Sequence, residues 1–136
     1  RHAPPPVHPS SPTRRAADLG AASGACSNLP KGGTPEGMYT CLPLERAYWN
    51  NRAEVALADM LAKAAVSDAT HADEPDHVDL VAGITAMQEG WAQFRDSLCA
   101  AKWRGHELQE LMTNRCLMKK DGEQAIYLMS LLKEHF

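Results

Sequence analysis

The stretch MQEGWAQFRDSLC, residues 87–99, concentrates side chains that could do chemistry. Cys99 is a possible nucleophile, because Arg95 lies one helical turn before it and His106 is the nearest histidine in the sequence. A catalytic cysteine needs a base within hydrogen-bonding reach and surroundings that favour the thiolate. The alternative is that Cys99 is bonded to another cysteine. Because the chain has four cysteines, we favour the bonded form.

Two other patterns suggest hydrolysis or metal binding. Glu89 and Asp96 lie seven residues apart, roughly 10 Å along a helix, which is at the wide limit for an inverting glycosidase and too wide for a retaining one. The segment HADEPDH could offer metal ligands, but it lacks a recognised ligand spacing. We expect surface roles for the carboxylate pair and a solvated connector with a helix cap for the segment, whose candidate ligands are His71, Asp73, Asp76 and His77.

No phosphate-binding loop, nucleophile elbow or HExxH motif is present in the sequence. We therefore predict that the protein is not an enzyme and that it needs no metal and no cofactor.

The cysteines are widely spaced and form no CxxC pair, which argues against a zinc ribbon. Two structural disulfides in an oxidising compartment are the favoured interpretation; four reduced core cysteines are the alternative. Three pairings are possible, and we favour the sequential one. It joins Cys26 to Cys41 and Cys99 to Cys116, the second bridge spanning two antiparallel helices linked by a short turn.

Composition and charge divide the chain into two parts. Residues 1–34 are rich in Pro, Ser and Ala, poor in large aliphatic residues and carry a net charge of +3, which predicts a tail or linker. Residues 35–136 carry 10 basic and 16 acidic residues, a net −6, and form the predicted domain. An acidic domain argues against nucleic acid and suits a basic protein partner. Since the sequence begins with Arg, we expect a mature or trimmed form, and membrane association would need a removed N-terminal segment.

Apolar spacing predicts an all-α, up-and-down helical bundle without a sheet. The first helix should have Thr34 as N-cap and Pro35 at its first position, with a kink or fresh start at Pro43. The longest predicted helix, 77–101, starts after Asp76 as N-cap. Its apolar stripe is spaced 4, 3, 4, 3, 4 and comprises Leu80, Ile84, Met87, Trp91, Phe94 and Leu98.

The remaining chain predicts two short helices. Gly105 should break the chain before a helix over 107–118, and the Asp121-Gly122 pair should end that helix. A last helix is expected over 123–133. In the long helix, we expect Gln88 and Arg95 to bond helix ends or the first helix, where Asn50 and Asn51 are available. Asp96 would pair with a basic residue, Arg52 or Arg115.

These residues resemble the LprI-type lysozyme-inhibitor family, small helical domains of bacterial envelope and secreted proteins. The family's long-helix motif is roughly Q-x-x-W-x-x-[FY]-R-D-x-x-C, and a C-L pair follows later. The resemblance covers about residues 26–136, and this chain departs from the family's later Thr and Arg, with Asp121 and Gln124 near those places. The matching residues are Cys41, Tyr48, Asn50, Asn51, Gln88, Trp91, Phe94, Arg95, Asp96, Cys99, Cys116 and Leu117.

The resemblance implies a secreted or periplasmic inhibitor or immunity-type protein whose partner is a lysozyme or another peptidoglycan hydrolase. Inhibition would be steric, by filling the cleft of the enzyme. The loop between Cys99 and Cys116 would present the contact residues Lys102, Trp103, Arg104 and His106. Two alternatives remain: Trp103 packs into the end of the bundle, or the domain is a structural or accessory module of the envelope that inhibits nothing.

Overall fold

The computed structural model describes residues 34–136, which form three helices and no strand. Helix α1 is Pro35–Thr70, α2 is Leu80–Lys102 and α3 is Gln109–His135. The all-α prediction is confirmed. No helix within this part of the chain is long and apolar enough to cross a membrane. The predicted tail lies outside the described residues, except for Thr34.

Helix α1 begins as its sequence predicts. The Thr34 side chain accepts a hydrogen bond from the Gly37 amide at 3.2 Å, and Pro35 occupies the first helical position. The predicted fresh start at Pro43 is wrong, because the helix continues through it. Proline in a helix interior removes one backbone bond. Here its ring is exposed, and the buried Leu42 and Trp49 on either side hold the helix in place.

Helix α2 starts three residues later than predicted. Its N-cap is Asp79, whose side chain accepts from the Ala82 amide at 2.9 Å, so the assignment of Asp76 as the cap is wrong. Asp68, near the end of α1, accepts from the Leu80 and Val81 amides at 2.9 and 3.0 Å. Two carboxylates thus satisfy the first amides of α2, which would otherwise lack partners.

Helix α3 replaces the two short helices that the sequence predicts. The Asp121-Gly122 pair lies in its interior, and both residues are buried. Local propensity disfavours glycine and aspartate in a helix by up to about 1 kcal/mol each. Burial against the neighbouring helices outweighs this preference, so the predicted helix end at this pair is wrong.

Two apolar clusters fill the interior. The first half of α1 and the first two thirds of α3 share one of them, built on Leu42, Trp49, Leu111, Met118 and Ala125. The later parts of these helices share the other with the start of α2, through Ala56, Met60, Ala64, Ile84 and Leu128. Helices α1 and α3 therefore run in the same direction, and α2 returns antiparallel to both. This is the predicted up-and-down connectivity with three helices instead of four.

One disulfide lies within the described residues and joins α2 to α3. It links Cys99 and Cys116 with the Cα atoms 5.6 Å apart, as predicted. Cys41 is buried and is itself disulfide-bonded. Its predicted partner, Cys26, lies outside the described residues.

Candidate functional site

A single buried carboxylate joins all three helices. Asp121 on α3 is 1% exposed and accepts a hydrogen bond from Arg46 of α1 on one oxygen and from Arg95 of α2 on the other, both at 2.9 Å. Arg95 also donates through Nε to the adjacent Asp96 at 2.8 Å. Two of the motif residues, Arg95 and Asp96, thus belong to an ionic cluster that fixes the helices relative to one another.

The surroundings of Arg95 keep its guanidinium charged. Burial lowers its pKa, but the hydrogen bonds and opposite charges of Asp96 and Asp121 outweigh this and raise the pKa above its ordinary value. A group that stays protonated at every physiological pH cannot act as a general acid or base. Arg95 therefore acts in this cluster as a fixed positive charge.

Two further motif residues, Gln88 and Trp91, contact α3 and Arg95, respectively. Gln88 accepts a hydrogen bond from Gln124 at 2.9 Å, and the Arg95 guanidinium lies 4.8 Å from the centre of the Trp91 ring. The expected partners of Gln88 and Arg95 on α1, Asn50 and Asn51, do not hold these side chains. Asp96 pairs with its neighbour Arg95, and the predicted partners Arg52 and Arg115 are wrong.

Phe94 corrects the predicted core. Its side chain is 58% exposed, whereas Trp91, one turn earlier, is half-buried. Of the predicted stripe on α2, Ile84 alone is fully buried. Helices α1 and α3 both lie on one side of α2, so the buried part of the α2 surface is narrower than the apolar stripe. Phe94 lies at the outer edge of the stripe and is therefore exposed.

The candidate chemistry of the sequence does not assemble into a catalytic site. Cys99 is bonded to Cys116, so it offers no thiolate. His106 lies in the α2–α3 turn, where its Nδ1 accepts from the Leu108 amide at 3.1 Å. Glu89 and Asp96 are both exposed on α2, and Asp96 is engaged by Arg95.

The acidic connector between α1 and α2 holds its histidines in local pairs. His71 contacts Glu74, and the His77 ring lies 3.5 Å from Asp68, the capping carboxylate. Within residues 34–136, no group of three or more His, Cys, Asp or Glu side chains is arranged to hold a metal ion. The connector thus places His77 beside the carboxylate that caps the start of α2.

The opposite end of the bundle carries the predicted contact loop. Lys102 closes α2, and its ammonium lies 5.6 Å from the centre of the Trp103 ring. The His106 ring meets Trp103 edge-on, with ring centres 5.0 Å apart. Gly105 turns the chain with φ +74°, a conformation that favours glycine, and its amide donates to Gln109 at 2.9 Å. Arg104 is exposed beside this aromatic pair.

A recess that the sequence does not predict lies under this loop. It has a volume of about 230 Å³ between the end of α2 and the flank of α3. We call it the cationic recess, and its lining residues are Lys102, Trp103, Met112, Arg115, Cys116 and Lys119. The Cys99–Cys116 bridge joins the two helices at this recess, and Lys102 and Lys119, each three residues after one of the cysteines, lie on opposite sides of the bridge because the helices are antiparallel.

Fold and site together define a small, disulfide-braced helical domain without an assembled catalytic centre among the described residues. The sequence pattern of the family described as "Lysozyme inhibitor LprI" matches residues 26–128, and the chain belongs to this family. The family is one of inhibitors and not of enzymes. No curated protein and no solved structure matches the chain.

Proposed function

We propose that the protein inhibits a lysozyme or another peptidoglycan hydrolase of the bacterial envelope by occluding its substrate cleft. Membership of the lysozyme-inhibitor family carries this proposal. The protein would act in the periplasm or after secretion, where its disulfides persist and where such hydrolases work. Lysozyme inhibition, as an inhibitor or an immunity protein, needs no chemistry from the inhibitor, which agrees with the local pairing of its candidate catalytic groups.

The contact surface we propose is the α2–α3 turn with Lys102, Trp103, Arg104 and His106. A disulfide braces it, and the bond between Gly105 and Gln109 shapes it. A braced loop loses little conformational entropy on binding, which favours affinity. Trp103 is half-buried against His106, so it can present its remaining face as an aromatic anchor.

The distribution of charge supports the same contact surface. The described residues carry a net charge of −6, which would steer a basic hydrolase toward the domain. Acidic residues crowd the connector between α1 and α2, whereas Lys102, Arg104, Arg115 and Lys119 gather at the disulfide end. The bundle would therefore approach the acidic cleft of a glycosidase with its cationic end first.

A turbidity assay on bacterial cell walls tests the proposal with a panel of c-type, g-type and i-type lysozymes and lytic transglycosylases. At micromolar protein, we expect at least one enzyme to be inhibited, with KM raised and kcat unchanged. Trp103→Ala should weaken inhibition by about 30-fold, the effect of losing an interface anchor. Phe94→Ala is the matched control on another surface. Unchanged lysis across the panel would argue against inhibition.

Exposure of Phe94 favours a second candidate, a non-inhibitory accessory module that binds an envelope protein through α2. The basic, Pro-rich segment would then be a spacer to a larger assembly. Capture from an envelope extract separates the two candidates. Recovery of a hydrolase, lost in Trp103→Ala, supports inhibition; recovery of a scaffold component, lost in Phe94→Ala, supports the accessory role.

A further inference from the structure

The cationic recess contains positive charge that the described chain does not neutralise. Lys102, Arg115 and Lys119 line one small cavity, and none of them forms an ion pair or a hydrogen bond. Two acidic residues of α3 pair elsewhere, Glu123 with Lys120 at 3.0 Å and Asp121 with Arg46. Glu107 and Glu110, between Lys102 and Arg115 in the sequence, are exposed and do not line the recess. In a domain with an excess of carboxylates, three cations without a counter-charge are an unusual arrangement.

Arg115 adds a second, independent observation. Its Nε atom is buried and donates to no acceptor. Buried donors in folded proteins are almost always satisfied, by protein, by water or by a ligand. A guanidinium whose donors match the geometry of a carboxylate is suited to receive one. Arg115 thus brings a guanidinium with an unused donor to the wall of the recess.

We propose that the cationic recess is a receptor for a side-chain carboxylate of the target hydrolase, namely the ionised carboxylate that lines the enzyme's cleft. This inference rests on the proposed inhibitory function. Lys102 and Lys119 supply charge from the two rims, Arg115 supplies the directed donor, and Trp103 and Met112 form the apolar walls around the carboxylate's methylene groups.

The size of the recess favours a protein side chain as the source of the carboxylate. Pockets for small molecules usually measure ~300–1,000 Å³, and this one is smaller. It suits a single side chain presented by a folded partner better than a free peptidoglycan fragment. Glycosidases of the lysozyme type carry two cleft carboxylates of which one stays ionised, so the recess and the target are complementary.

The test is a double-mutant cycle measured by calorimetry, with a lysozyme that the unsubstituted protein inhibits. The partner variant replaces the ionised cleft carboxylate by its amide, and binding is measured directly because this variant is inactive. The inhibitor variants are Lys119→Ala and Arg115→Gln, with Lys133→Ala as the matched control. Lys119 and Lys133 are both exposed lysines of α3, but Lys133 lies at the other end of the bundle.

We expect Lys119→Ala and Arg115→Gln each to weaken binding by about 10-fold or more, the effect of losing a charged hydrogen-bond partner. Against the amide variant of the lysozyme, the same substitutions should have less than about a 3-fold effect, because their partner is already gone. Lys133→Ala should leave the Kd within about 2-fold. Circular dichroism checks that Arg115→Gln is folded, and Lys119→Ala tests the proposal at an exposed position.

Three results would overturn the proposal. Equal losses with both forms of the lysozyme would place the carboxylate elsewhere, while inhibition itself would stand. Equal losses in Lys119→Ala and Lys133→Ala would assign the effect to net charge. Binding of a free muramyl peptide that is lost in Lys119→Ala would assign the recess to a peptidoglycan ligand. If no hydrolase of the panel binds, the inhibitory function fails and the receptor fails with it.

Discussion

Arg95 and Asp121 lie 26 residues apart on different helices, and a 2.9 Å hydrogen bond joins them in the interior of the bundle. Arg46 reaches the second oxygen of the same carboxylate from α1. Since Asp121 is 1% exposed, its charge depends on both arginines for compensation. The relationship gives the stretch with the most unusual residues a structural role, because Arg95 connects α2 through Asp121 to the other two helices.

Removing the shared carboxylate should therefore destabilise the fold strongly. Asp121→Ala leaves Arg46 and Arg95 without their buried partner, and we expect the free energy of unfolding to fall by about 3 kcal/mol. Urea denaturation followed by circular dichroism measures the change. The control is Asp96→Asn, whose side chain is 63% exposed and which should cost less than about 0.5 kcal/mol. Similar losses of stability in both variants would contradict the role of Asp121 as the buried partner of the two arginines.

Trp91 and Phe94 are three residues apart on α2 and should respond differently to truncation. Trp91 is half-buried under the Arg95 guanidinium, so Trp91→Ala should lower the free energy of unfolding by about 2–3 kcal/mol. Phe94 is 58% exposed, and Phe94→Ala should cost less than about 1 kcal/mol. Thermal and urea unfolding measure both. A larger loss in Phe94→Ala would mean that the outer face of α2 is covered in solution.

The sequence predicts the helical class and the course of α2 because the 4-3 spacing of apolar residues is a local signal. It fails at Asp121-Gly122 for the same reason. Both residues favour a helix end by local propensity, but the groups that hold Asp121 in a helix come from positions 46 and 95. Partners so distant in sequence cannot be inferred from spacing. The pattern also overestimates the core, since Phe94 matches the stripe but lies beyond the sector that three helices can cover.

The candidate site was half predictable. Lys102, Trp103, Arg104 and His106 follow from the turn between two cysteines and remain predicted contact residues. Arg115 and Lys119 are four residues apart and therefore share one face of α3. They line the recess because the Cys99–Cys116 bridge fixes that face against the end of α2. A charge count along the chain does not reveal this convergence. Because α2 and α3 are antiparallel, Lys102 and Lys119 lie on opposite sides of the bridge, and only the three-dimensional structure shows that they line one recess.

Asp68 predicts how acid affects the acidic end of the bundle. Hydrogen bonds from the Leu80 and Val81 amides hold its pKa below the ordinary value of 3.8, although partial burial opposes them. The ionised carboxylate thus stabilises the fold above that pH, and the contribution is lost as the pH falls through the lowered pKa. Asp68→Asn should lower Tm at pH 7, and its difference from the wild type should shrink below pH 3.8. The exposed Asp73→Asn is the control, and a pH-independent difference would contradict this cause.

Gly105 should set the shape of the contact loop. At φ +74° a β-carbon is strained, although nothing lies within 4 Å of where it would be built. The strain alone should lower the free energy of unfolding by about 1 kcal/mol in Gly105→Ala. A loss of this size leaves nearly all molecules folded, so it should not by itself reduce inhibition. If the turn presents Trp103 to a hydrolase, Gly105→Ala should nevertheless weaken inhibition. Gly90→Ala on α2 is the control, since its helical backbone accepts alanine and no atom crowds it. Equal inhibition by Gly105→Ala and Gly90→Ala would show that the shape of this loop does not affect contact with the hydrolase.

The Cys99–Cys116 bridge should affect stability and inhibition through separate physical routes. It closes a 17-residue separation, and the chain-entropy estimate for a loop of that size is about 3 kcal/mol. The paired substitution Cys99→Ser with Cys116→Ser should lower the free energy of unfolding by about that amount in urea. At a temperature where this variant is still folded, inhibition should weaken further, because Lys102 and Lys119 lose the covalent link that sets their spacing. Unaltered inhibition in the folded variant would show that helix packing alone positions the recess.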